Sequence, residues 1–135
     1  MTRWTTVATV LGLLAVAAAG AQDKKTPTIK QVMEKLHKGA NPPIANLRKA
    51  LQAEEPDWSA IQKTTKDFVI LGAALAKNNP PRGDKESWAK LARQYFTDAK
   101  AMDDAAEQKD KPATLAARAK LAGSCMACHR VHKKR

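Results

Sequence analysis

Cysteine, aromatic side chains and acidic groups are all scarce in this chain of 135 residues. Two cysteines cannot build a disulfide framework. Aromatics make up 4% of the residues, which argues against an all-β sandwich, whose strands draw heavily on Val, Ile, Thr, Tyr and Phe. Strand-type alternation, glycine-rich phosphate loops and internal repeats are also missing from the pattern. Acids are outnumbered: 13 Asp and Glu face 24 Lys and Arg, for a formal charge of +11. What the chain does have is a 44% hydrophobic share, much of it alanine, recurring at regular spacing. That regularity argues against disorder, and the length suits one domain. A small, mostly helical domain is what remains.

The first residues read as an address. Arg3 gives a short positive region, and Val7 to Ala19 is an apolar run of 13 residues. Such a run is too short for a membrane span, which takes about 20 apolar residues. Ala19-Gly20-Ala21 then supplies small residues for signal peptidase. The expectation is a secretory signal over residues 1–21, cleavage after Ala21, and a single exported, periplasmic domain over residues 22–135. An uncleaved anchor is the alternative. Cleavage removes Arg3 alone among the charged groups, which lowers the net charge by one, to +10.

Proline and glycine divide the remainder into four stretches. Thr26 is a candidate cap and Pro27 a candidate first residue of a helix whose stripe is Ile29, Val32, Met33 and Leu36. The run Gly39-Ala40-Asn41-Pro42-Pro43 interrupts it, with Asn41 as a cap for a continuation bearing Ile44, Leu47 and Leu51. One kinked helix or two short ones are expected. Glu54-Glu55-Pro56 opens the next, where Trp58, Ile61, Thr65, Phe68, Gly72 and Leu75 repeat in alternating steps of three and four, the seam of a bundle. Asn78 to Gly83 is a loop, and Asp84 caps a third helix carrying Trp88, Leu91, Tyr95, Ala99 and Met102. Pro112 starts a fourth, with Leu115, Ala119, Ala122 and Met126 turned inward. Short connections between four helices predict an all-α, antiparallel up-and-down four-helix bundle.

One motif carries chemistry. Cys125-Met126-Ala127-Cys128-His129 lies near the end of the fourth helix. Two thiols three residues apart can each bond a vinyl group on one edge of a haem, with the adjacent histidine binding iron, so Cys-x-x-Cys-His reads as a c-type haem attachment site. An export signal strengthens that reading, because this linkage is made outside the cytoplasm. Three plainer readings compete. A thioredoxin-type pair lacks its βαβ setting. A zinc site could draw on Cys125, Cys128, His129 and His132, all from barely two turns of helix. A disulfide between positions i and i+3 of a continuous helix has poor geometry.

A signal peptide, four helices and a carboxyl-terminal Cys-x-x-Cys-His together resemble the class II cytochromes c, the group of cytochrome c′ and cytochrome c-556. The likeness spans the whole chain after the signal. It implies one covalently attached haem c held by Cys125 and Cys128, with His129 as the proximal iron ligand. In the c-556 type a methionine of the first helix completes low-spin coordination; in the c′ type an apolar residue stands there, and five-coordinate iron binds small gases. Gln31-Val32-Met33-Glu34-Lys35 is similar to the methionine-bearing segment, which makes Met33 the candidate distal ligand. Core filling is the plainer role for a methionine on a buried stripe. His37 lies four residues on and could compete as a ligand, although an exposed histidine is the plainer expectation there. The chain also departs from the family: Ile29 and Lys30 stand where Arg and Gln are usual, and His132 and Lys133 where Phe and Arg are usual. Family members often dimerise through their first two helices, and a homodimer is carried over as an expectation.

No acid–base or nucleophilic constellation points to an enzyme. The expected function is electron carriage, with a gas-binding haem protein and a zinc-bound or thiol-redox bundle as alternatives. Lysines are spread over all four helices without a nucleic-acid-binding motif, so the expected partners are acidic redox proteins rather than DNA or RNA.

Overall fold

The computed structural model describes residues 25–134, and the signal-peptide expectation for residues 1–21 lies outside them. Among the described residues the chain is all-helical, without a strand. The helices are α1 (Ile29–His37), α2 (Pro43–Gln52), α3 (Trp58–Leu75), α4 (Lys85–Glu107), α5 (Lys111–Gly123) and α6 (Cys125–His132). The first expected stretch is two short helices rather than one kinked helix, and the fourth breaks at Ser124.

Side-chain caps explain most of the starts. Thr28, not Thr26, caps α1: its hydroxyl accepts from the Gln31 backbone N–H at 3.3 Å, and Gln31 Oε1 accepts from the Thr28 N–H at 2.8 Å. This reciprocal pair satisfies two otherwise orphaned donors, which Thr26 lies too far upstream to do. Asn41 does not cap α2, which starts behind Pro42 with Pro43 where no amide donor is needed. Asp57, Asp84 and Asp110 accept from the N–H groups of Ala60, Ser87 and Ala113 at 3.1, 2.7 and 2.9 Å, opening α3, α4 and α5. Glu54 and Glu55 precede Asp57 and so lie outside the first turn of α3.

The core follows the sequence period closely in α3 and α4. Ile61, Thr65, Phe68, Gly72 and Leu75 are all buried, as the steps of three and four require. In α4, Ala92 joins Trp88, Tyr95, Ala99, Met102 and Ala106 inside, while Leu91 is only half-buried. α3 and α4 share the most extensive contact, α4 also packs on α5, α1 on α3, and α2 on α5. Gly72 permits the α3–α4 approach, because a Cβ there would stand 2.9 Å from Tyr95 Cε1.

The expected inward stripe of the fourth helix is observed in part: Leu115 is half-buried against the core and Ala122 is half-buried, but Ala119 and Met126 are not inside. Thr114 and Leu121 are the buried residues of α5, Ala119 is exposed, and Met126 is 57% exposed. For Met126 the reason is the break at Ser124, beyond which residues belong to α6; within α5 the buried side runs through Thr114 and Leu121 and leaves Ala119 outside. Buried polar groups on this side are satisfied within the bundle. Thr114 donates to the Asp110 carbonyl at 2.6 Å, and Asp98 receives Lys120 of α5 at 2.8 Å and Gln94 at 2.9 Å.

The Asp84 cap makes acid sensitivity testable. Donation from the backbone and the hydroxyl of Ser87 holds the Asp84 carboxyl below the usual carboxylate range. A carboxyl depressed on folding stabilises the fold above its unfolded pKa, and that contribution is lost as pH falls through the lower, folded value. Asp84→Asn keeps a capping oxygen without a titrating group. Its melting temperature should therefore fall less between neutral and strongly acidic pH than that of the unmutated chain, as thermal melts across pH would measure. Equal acid losses in the two proteins would rule the cap out as a source of acid sensitivity.

Candidate functional site

The break that ends α5 also builds the site. Ser124 closes α5, its N–H bonding to the carbonyls of Lys120 and Leu121 and its hydroxyl donating to the Leu121 carbonyl at 2.7 Å. A new short helix then starts at Cys125. Within α6, Cys125, Cys128, His129 and His132 occupy positions i, i+3, i+4 and i+7, one face of a helix. That face is turned inward: the first three residues are half-buried and His132 is buried. The other face, with Met126, Ala127, Arg130 and Val131, is exposed. His129, Arg130 and His132 also sit in the last turn, the end of the helix dipole that favours positive charge.

Both thiols are free, and Cys128 packs against the hydrophobic core. Burial pushes each thiol pKa up, so both are protonated at neutral pH. The thiol of Cys125 is opposed in part by the nearby Arg118 charge. Burial, aided by the Lys133 charge, pushes His129 down and leaves a neutral imidazole with a free lone pair.

His37 of α1 and Tyr95 of α4 lie within electrostatic reach of α6. His37 is half-buried, contrary to the exposed histidine expected from its Leu36-Lys38 setting. Its Nε2 lies 2.9 Å from the Tyr95 hydroxyl, and its ring stands edge-on to Phe68 at 5.7 Å and to Tyr95 at 5.9 Å. Burial lowers the His37 pKa first, and the proximity of His129 lowers it further. Tyr95 is shifted up by burial and by Cys125. Thus His37 of α1, Tyr95 of α4, and Cys125 and His129 of α6 share one electrostatic neighbourhood. Met33 stands one turn before His37, half-buried and packed on the core.

Tyr95 is the residue that sequence reasoning treated as core alone. A signal was available, since the only tyrosine of the chain lies on a buried stripe and brings a hydroxyl needing a partner. Lys30 is exposed and pairs with Glu34 at 3.9 Å. His132, a member of the zinc alternative, has Arg82 O at 2.8 Å from Nδ1 and Ser87 Oγ at 2.9 Å from Nε2, so zinc binding would have to break at least one of these bonds. Among the described residues no three His, Cys, Asp or Glu side chains are grouped for a metal ion. A cavity of about 240 Å³ between α1, α2 and α3 is lined by Leu36, Leu47, Ala50 and Ile61 among others, and no residue of the Cys125–His129 run reaches it. No helix among the described residues is long and apolar enough to cross a membrane.

No family model, curated protein or solved structure matches the chain.

Proposed function

We propose that the chain is an exported, periplasmic c-type cytochrome of the class II kind that carries single electrons through one covalently bound haem. In this reading α1 with α2, then α3, α4, and α5 with α6 are the four members of an antiparallel up-and-down bundle. Cys125 and Cys128 hold the haem, His129 is the proximal ligand, and Met33 is the distal one. The observation that carries the reading is the half-buried face of α6, which presents two free thiols and a neutral imidazole together, with Cys128 packed on the core.

The donor set fits that group chemically. Thiols at i and i+3 rise from one helix face, and the imidazole at i+4 on the same face is neutral at neutral pH, with a lone pair on one ring nitrogen. The haem supplies the one-electron redox chemistry; the protein supplies burial, axial donors and orientation. Phe68 and Tyr95 provide an aromatic wall that excludes water beside His37. Outside, half-exposed Val131 and Met126 are flanked by exposed Arg130, Lys133 and Lys134. An exposed face with this much basic charge suits a transient complex with an acidic redox partner, weakened by salt.

Expression together with haem-attachment machinery in a periplasm tests the proposal. The expected product has the mass of the mature chain plus one haem, with Cys125 and Cys128 closed to alkylating reagents. A product without covalent haem and with both thiols alkylatable overturns it.

A further inference from the structure

The carboxyl end of α6 is held by an arrangement that haem attachment itself does not require. His132 is 1% exposed and is the only fully buried residue of α6. Its ring reaches in two directions: Nδ1 lies 2.8 Å from the Arg82 carbonyl oxygen and Nε2 lies 2.9 Å from Ser87 Oγ. The carbonyl can only accept, so Nδ1–H donates to it, while Nε2 meets the Ser87 hydroxyl, which also lies 2.9 Å from Asp84 Oδ2. Trp88 stands edge-on to the imidazole at 5.3 Å, fixed in turn by donation from its indole N–H to the Leu75 carbonyl at 3.2 Å. Gly83 leaves the necessary space, because a Cβ there would come within 2.9 Å of His132 Nδ1 and 3.2 Å of Val131 Cγ1. Beside it, the Arg82 guanidinium donates to the Arg130 carbonyl. The loop between α3 and α4, with the first turn of α4, thereby grips the last turn of α6.

We propose that His132 is a positioning residue, a pin that sets the rotation and tilt of α6 and so aims Cys125, Cys128 and His129 into the bundle. The proposal rests on the haem reading of the same helix. The geometry behind it is the i, i+3, i+4, i+7 stripe: pinning the last position fixes the angular phase of the other three on a rigid helix. A pin is needed because α6 has 8 residues, too few to hold a helix in water unaided, and the break at Ser124 uncouples its phase from that of α5. Imidazole suits the site because its two nitrogens reach partners on opposite edges of one small flat ring.

Two variants of the full chain, matured with haem machinery, test this. His132→Phe keeps a ring against Trp88 and loses both hydrogen bonds; Ser87→Ala removes one bond and leaves the ring in place. Amide hydrogen exchange resolved along the chain is the main readout, supported by the ratio of two-thioether to one-thioether product and by the anisotropy of the ferric electron-resonance spectrum. Loss of one hydrogen bond should speed exchange in α6 by about fivefold, and loss of two by more than about tenfold, with α3 unchanged. One-thioether product should rise in the same order, and the resonance should broaden as His129 samples more orientations. If both variants keep unmutated α6 exchange and attachment ratio, His132 is packing alone and the proposal falls. If His132→Phe fails to fold, Ser87→Ala decides by the same exchange measurement. If the unmutated chain itself carries no haem, the functional reading fails, an outcome separate from failure of the pin.

Discussion

Phe68→Ala is expected to lower folding stability by about 3–5 kcal/mol, a large fraction of what a domain of this size holds. Phe68 is 0% exposed at the centre of the α3 seam, so truncation removes a whole ring from water-free packing and leaves a cavity that helices on several sides cannot close. The ring also forms one edge of the His37 environment at 5.7 Å. Its loss should therefore admit water beside His37 and weaken the desolvation that now lowers the pKa of that histidine. Denaturant titration should show the midpoint falling with little change in slope, and the His37 titration followed by NMR should move up toward the ordinary histidine value. Phe68→Leu, which fills most of the volume, should recover the greater part of the stability. A loss below about 1 kcal/mol for Phe68→Ala would mean that the seam of α3 is not the centre of the core.

The difference between what could and could not be read in advance is physical. The α3 seam was legible because a long helix buried along one side must show its period, and Ile61, Thr65, Phe68, Gly72 and Leu75 do. The inward face of α6 was hidden by the break at Ser124: apolar Met126 continues the α5 stripe on paper, yet it stands on the exposed face of α6. Thr26 stands out in the sequence because a following proline is a strong start signal, while the glutamine that completes the Thr28 capping box is a weaker one. The cysteines and His129 were legible as chemistry from spacing alone. His37 was not, since its burial depends on Tyr95, 58 positions away, and one-dimensional periodicity says nothing of such a meeting. His132 is similar, with its partners at Arg82 and Ser87 on a loop and helix start that carry no motif.

These placements bear on how the protein would work. The groups that hold the iron in the proposed function come from the two short helices α1 and α6, while the long helices α3 and α4 provide the rigid floor beneath them. Ligands on short elements fixed by a packed scaffold keep their spacing when the iron changes charge, which keeps reorganisation small during electron transfer. On the α1 side, Met33 and His37 share one face a single turn apart, so in the proposed function the choice of sixth ligand would turn on a shift of about 6 Å along the helix.

Met33→Ala is therefore the substitution with the largest expected effect on function. With a thioether opposite His129 the ferric protein should be low-spin, show a methionine-to-iron absorption band, and resist carbon monoxide in the ferrous state, because the gas must displace sulfur. Alanine cannot ligate, so Met33→Ala should turn high-spin, lose the band and bind carbon monoxide readily. Its reduction potential should also fall, as thioether ligation favours ferrous iron. The cost in stability stays at or below about 2 kcal/mol, the lower end for buried methionine truncations, since Met33 is only half-buried. A high-spin, gas-binding unmutated protein would make Met33 core packing and the chain a five-coordinate gas binder instead of an electron carrier. His37 supplies the remaining contrast: its imidazole is neutral at pH 7, half-buried and in the electrostatic reach of His129. If Met33→Ala stays low-spin and His37→Ala does not, the iron is held by two histidines, with His37 ligating either through Nδ1 or through Nε2 at the expense of its 2.9 Å bond to the Tyr95 hydroxyl.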